Sequence, residues 1–101
     1  MPLDRHKISV IVPTVGRDSL ALCRTALARQ TRPPDEIVIV VDEFRRGVVW
    51  ARNEGIARSS GDVIAFADDD VIPPADWLER LVGALDRCDA AAAGGTFQET
   101  D

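Results

Sequence analysis

Ile37-Val38-Ile39-Val40-Val41-Asp42 is five β-branched residues in succession closed by an acid. A run this short has no helical stripe and no polar alternate positions. It reads as a strand covered on both faces, the mark of a parallel sheet with helices on either side. Upstream, Ile8 to Val12 is a second such run, closed by Pro13. Downstream, Val63 to Ala67 is a third, ending in Asp68-Asp69-Asp70.

Helical patterns fill the intervals. Leu20, Cys23 and Leu27 form an apolar stripe after Asp18 or Ser19, either of which can cap the helix, and Pro33-Pro34 stops it. Val48 to Arg58 reads as a second helix, closed by Ser59-Ser60-Gly61. After Pro73-Pro74, Asp76 is a candidate N-cap with Glu79 completing a capping box, and Leu78, Leu81, Val82 and Leu85 make the stripe of a third helix. Ala90 to Phe97 is a candidate fourth strand, weakened by its alanines and Gly94-Gly95. The expected architecture is one α/β domain over residues 1–101, Rossmann-like, with a mostly parallel sheet of about four strands and three helices.

Composition narrows the function. The chain has 101 residues, 46% hydrophobic, with a net charge of -5. That charge argues against a nucleic-acid partner, whose phosphates need a basic surface. No apolar run is long enough for a transmembrane segment, and a cytoplasmic setting is the expectation. Cys23 and Cys88 are too few for a disulfide framework or zinc site and fall in helices, where a buried thiol is expected. His6, the single histidine, sits on a charged N-terminal arm and is a poor base or metal ligand. Trp50 and Trp77 fall at helical positions that read as core.

Chemistry in parallel α/β sheets gathers at the carboxyl ends of the strands. Pro13-Thr14, Asp42-Glu43 and Asp68-Asp69-Asp70 should therefore share one edge. In an extended segment Asp68 and Asp70 point one way and Asp69 the other. Adjacent carboxylates repel unless neutralised, and hard oxygen ligands suit Mn²⁺ or Mg²⁺ with phosphate oxygens completing the shell. A solvated turn is the competing reading of the same triplet. Asp42 can accept from a base or ribose, or be a loop acid with no ligand. Arg45, Arg46 and Arg52 are the nearby cations, and the N–H groups opening the Val48 helix could face a phosphate.

The stretch ISVIVPTVGRDSLALCRTALARQTRPPDEIVIVVD resembles the opening of the family 2 glycosyltransferases. GVVWARNEGIARSSGDVIAFADDDVIPPADWLERL resembles the family's next segment, with its Ala-Arg-Asn helix, Asp-X-Asp motif and Pro-Asp-Trp-Leu helix start. The resemblance runs from about Lys7 to Phe97 and implies a GT-A fold, sugar transfer from a nucleotide diphosphate donor and a metal. It implies Pro13 and Thr14 in the nucleotide pocket, Asp42 on the base, most often uracil, and Asp68 and Asp69 facing ribose and donor sugar. Asp70, with Asp68, would hold the metal; Arg17, Glu43, Arg52 and Asn53 complete the substrate-binding candidates. The expected donor is a UDP-sugar.

Two departures accompany the match. The family's Gly-Ser-rich turn, helix and short strand before the Ala-Arg-Asn helix have no counterpart, since Glu43-Phe44-Arg45-Arg46 leads straight to Gly47. The acceptor half, where an inverting enzyme keeps its general base, is also missing, so no catalytic residue is assigned. A non-catalytic module binding nucleotide diphosphate and metal is one alternative. A nucleotidyltransferase is another, although Val15-Gly16-Arg17 is a poor version of its Gly-rich basic loop. A half-domain also leaves a sheet edge open, which invites a homodimer.

Overall fold

The structure is a computed structural model that describes residues 6–88, the side chains of Arg87 and Cys88 excepted. Its elements run β1 (Ile8–Thr14), α1 (Leu20–Ala28), β2 (Glu36–Val41), α2 (Val48–Arg58), β3 (Val63–Phe66) and α3 (Trp77–Cys88). The strands form a parallel sheet in the order β2-β1-β3. The expected α/β layering is present as a Rossmann-like unit. The candidate fourth strand over Ala90 to Phe97 lies outside the described residues.

Because β1 is central, both of its faces are covered, and Ile8, Val10, Ile11 and Val12 are fully buried. Ile8, Val10 and Val12 pack with Cys23 and Leu27 of α1 and Trp77, Leu78 and Val82 of α3. Ile11 faces the other way, onto Val40 and Ala51. The strand's two-residue period thus sorts α1 and α3 to one face and α2 to the other. Gly55 sets how closely α2 approaches. A Cβ there would overlap Ile11 Cγ2 and lie 3.2 Å from both Cγ1 and Cδ1.

β1 extends two residues past the expected stop and carries Pro13 in register with Val40. Ala67 N–H donates to Ile11 O, whereas Asp42 N–H donates to Thr14 O. Odd residues of β1 therefore turn their backbone groups toward β3 and even ones toward β2. Pro13 points toward β3 beyond the last β1–β3 pair, Ile11 with Phe66, where a missing N–H costs no ladder bond.

Two expected caps give way to tertiary contacts. Ser19 occupies the N-cap of α1 but makes no side-chain cap bond, its own backbone being helical. At α3, Leu78 N–H donates to Gln30 Oε1 at 2.9 Å, and Glu79 Oε2 accepts from Thr31 Oγ1 at 3.1 Å. Asp76 pairs instead with Arg80, 3.7 Å away. Gln30 Nε2 also donates to Pro74 O at 2.7 Å, and Thr31 N–H to Ala75 O at 2.7 Å. The end of α1 thereby clamps the start of α3, a role the sequence pattern did not disclose.

Candidate functional site

The carboxyl ends of all three strands open into one cleft of about 360 Å³. Pro13, Thr14, Arg17, Asp42, Asp68, Asp69 and Asp70 line it. Strand ends separated by up to 55 residues in sequence are joined directly: Thr14 Oγ1 donates to Asp69 Oδ2 at 2.5 Å. The same Thr14 oxygen accepts from Gly16 N–H at 2.9 Å, which turns the β1–α1 loop back over the strand end. Gly16 has φ 92°, a conformation that favours glycine.

The exposure of the aspartate triplet alternates, although the segment is not the expected extended one: β3 ends at Phe66, and Asp69 and Asp70 lie in a turn. Asp69 is 6% exposed and points inward to Thr14, while Asp68 and Asp70 are exposed at the cleft. Asp70 Oδ2 lies 3.3 Å from Arg17 Nη1. The carbonyl of Asp68 accepts from the Cys23 thiol at 3.4 Å. Burial pushes the Cys23 thiol up to about 11, and the charges of Asp69, Asp68 and Asp70 add to the shift. Cys23 is therefore a protonated core group beneath the triplet rather than a nucleophile. Among the described residues, no three His, Cys, Asp or Glu side chains converge as a ready-made metal cage.

Asp42 is 6% exposed, and both its oxygens are engaged by backbone. Oδ1 accepts from Arg46 N–H and Oδ2 from Gly47 N–H, each at 2.7 Å. Arg45 N–H donates to Asp42 O at 3.3 Å. The acid thus folds the 42–47 crossover and supplies a negative charge where α2 begins, stabilising the positive end of the helix dipole. The two N–H groups it takes, those of Arg46 and of the N-cap Gly47, precede the helix proper. Asp42 is a loop-organising residue as well as a cleft wall.

Glu43, Arg52 and Asn53 do not line the cleft. Val48 and Ala51 turn that face of α2 inward, and a step of about 100° per residue carries Arg52 and Asn53 away from it. Arg52 instead lies over the Phe66 ring, 5.3 Å from its centroid. Arg46 stacks over Trp50 at 5.1 Å and Phe44 at 5.7 Å. Trp77 is core, as expected; Trp50 is partly buried against the α2 face of the sheet. His6 lies 3.8 Å from Asp62, at the amino ends of the strands and away from the cleft. The cleft also takes in Val15, Arg45, Gly47, Val48 and Ala51. Of these, Arg45 stood out only as one nearby cation among three.

A Rossmann-like sheet with an acidic cleft at its strand ends defines the class, and comparison with known proteins gives the family. The family model for glycosyl transferase family 2 matches residues 42–101, and the chain belongs to that family. It is 38% identical, over 89% of its length, to a glucosyl-dolichyl phosphate glucuronosyltransferase of Haloferax volcanii, covering 38% of that protein. It is 27% identical to the glycosyltransferase AglE of the same organism, over 92% of this chain and 40% of the relative. An uncharacterized glycosyltransferase, YwdF, of Bacillus subtilis is 31% identical over 82% of this chain and 40% of its own length. The chain thus spans about two fifths of these relatives' length. No solved structure matches it.

The alignment to the glucuronosyltransferase runs over 118 positions, whereas 89% of this chain is about 90 residues. About 28 positions of the relative therefore have no counterpart here. The strand order and the family together describe a partial GT-A domain, and the family implies binding of a nucleotide-sugar donor.

Proposed function

We propose that the cleft binds the nucleoside diphosphate of a sugar donor, a UDP-sugar, and that the whole protein transfers the sugar to an acceptor. The observation that carries this reading is the meeting of Thr14, Asp42 and Asp68 to Asp70 in one cleft at the strand ends. The cleft volume of about 360 Å³ falls in the range of small-molecule sites. The family match favours glycosyl transfer over the nucleotidyltransferase alternative.

A divalent cation, Mn²⁺ or Mg²⁺, is part of the proposal. These ions are commonly held by one or two carboxylates, with phosphate and water oxygens completing the octahedron. Exposed Asp70 and Asp68 at the cleft fit that limited donor set, and buried Asp69 does not. When bound, the ion would neutralise charge growing on the departing diphosphate. Asp69 keeps Thr14 and the triplet's backbone in place, and Arg17 holds Asp70 at the cleft edge.

Titration calorimetry with UDP, with and without Mn²⁺, tests both parts. UDP should bind, more tightly with metal, and Asp70→Ala should remove the metal's contribution while leaving weaker metal-free binding. Affinity for UDP unaltered by Mn²⁺ and by Asp70→Ala would defeat the metal bridge. Assays with UDP-sugars and a panel of acceptors test the transfer itself. A homodimer is supported by β2 and β3, each paired on one side only among the described residues, and by Val41, 53% exposed on β2. Sedimentation at rising concentration tests it. A cytoplasmic setting, to be checked by fractionation, completes the reading.

A further inference from the structure

The three arginines between residues 45 and 52 have similar sequence surroundings and different tertiary ones. Arg46 is stacked on Trp50 and Phe44, and Arg52 on Phe66. Arg45 alone of the three lines the cleft. Among the described residues its guanidinium has no carboxylate partner, whereas Arg17, the cleft's second arginine, already meets Asp70.

The backbone holds Arg45 there. It is the one described residue other than glycine with positive φ, 52°. A left-handed arginine is strained and persists only where its neighbours enforce it. Asp42 supplies that constraint, accepting from Arg46 and Gly47 through its carboxylate and from Arg45 through its carbonyl. The cleft otherwise presents four carboxylates, those of Asp42, Asp68, Asp69 and Asp70. An anionic ligand entering it needs a cation that is not already neutralised.

We propose that Arg45 is a diphosphate-contacting residue, its planar guanidinium hydrogen-bonding a phosphate oxygen of the nucleoside diphosphate in the cleft. This rests on the donor-binding reading above. Asp42 then has a double effect: it organises the crossover and, through it, aims the cation. Guanidinium forks suit phosphate oxygens because two N–H groups can donate in parallel.

The test is calorimetry of the 101-residue chain with UDP, uridine and inorganic pyrophosphate, with Mn²⁺ present. The variants are Arg45→Asn, Arg45→Gly, Arg45→Lys and Arg46→Asn. Asn and Gly both tolerate the left-handed backbone, so loss of the side chain is separated from loss of the loop. Arg45→Asn and Arg45→Gly should weaken UDP and pyrophosphate by about tenfold and leave uridine unchanged. Arg45→Lys should recover part of the loss, and Arg46→Asn should bind as the wild type does. The difference between wild type and Arg45→Asn should shrink as salt rises, since the contact is at an exposed cation. UDP affinity unchanged in both Arg45→Asn and Arg45→Gly overturns the proposal, as does an equal loss in Arg46→Asn. A wild-type chain that binds neither UDP nor pyrophosphate sinks the donor-binding reading and this one with it.

Discussion

Replacing Asp42 by Asn separates a carboxylate that shapes the chain from one that waits for a ligand. In the structure both oxygens accept backbone N–H groups at 2.7 Å, and the residue is 6% exposed. Asn is the same size but retains one acceptor. Its NH₂ must face either Arg46 N–H or Gly47 N–H, leaving two donors opposed. Hydrogen bonds to charged acceptors contribute about 1.5–3 kcal/mol each, and a buried donor left unmatched costs about 1–3 kcal/mol. Allowing for partial relaxation of an exposed loop, the expected loss is about 2 kcal/mol. For a chain of this size that is a fall in melting temperature of about 10 °C. Urea denaturation without nucleotide should show a lower midpoint at unchanged slope. Hydrogen exchange should quicken at the Arg46 and Gly47 amides first. A midpoint shift worth under about 0.5 kcal/mol, with those amides unchanged, would refute the loop-organising role.

Three further outcomes follow from the same geometry. Gln30→Ala removes the bonds to Pro74 O and Leu78 N–H, leaving a helix-start donor unmatched, so urea unfolding should register a loss of about 2–3 kcal/mol. Gly55→Ala drives a Cβ into Ile11; overpacking of about 1–3 kcal/mol should exceed the roughly 1 kcal/mol gained from helix propensity, and a more stable variant would contradict the close approach. Glu36 is held below its ordinary 4.5, chiefly by Ser60 N–H and also by the Ser9 hydroxyl. A depressed carboxylate stabilises the fold fully above pH 4.5, and that contribution fades as pH falls through the lowered value. Glu36→Gln should therefore flatten the acid limb of a stability–pH curve and leave its shape above neutrality unchanged.

Much of the fold is legible along the chain because burial on both faces writes itself into local composition. The run Ile8–Val12 is rich in β-branched residues because central β1 is covered on both faces, and Ile37–Val41 repeats the pattern on an edge strand whose last residue, Val41, is exposed. The stripes at Cys23 and Leu27, and at Leu78 and Val82, mark the faces that meet β1. Parallel topology then follows from alternation alone, and with it the edge where Thr14, Asp42 and Asp68 to Asp70 must gather. Which acids look outward was settled past the end of β3, where Asp69 and Asp70 lie in a turn and the Thr14 hydroxyl draws Asp69 inward.

Partnerships between segments were decided only in three dimensions. Nothing near Asp76 announces that Gln30, just past the end of α1, will satisfy the start of α3, and local capping preference points instead to Asp76 and Glu79. Nothing in Arg45-Arg46-Gly47-Val48-Val49-Trp50-Ala51-Arg52 ranks its three arginines. The ring faces of Phe44, Trp50 and Phe66 take two of them, and the bend imposed by Asp42 leaves Arg45 in the cleft. Residue type and spacing report how much water each position sees; the direction of a long side chain depends on what the rest of the chain brings within its reach.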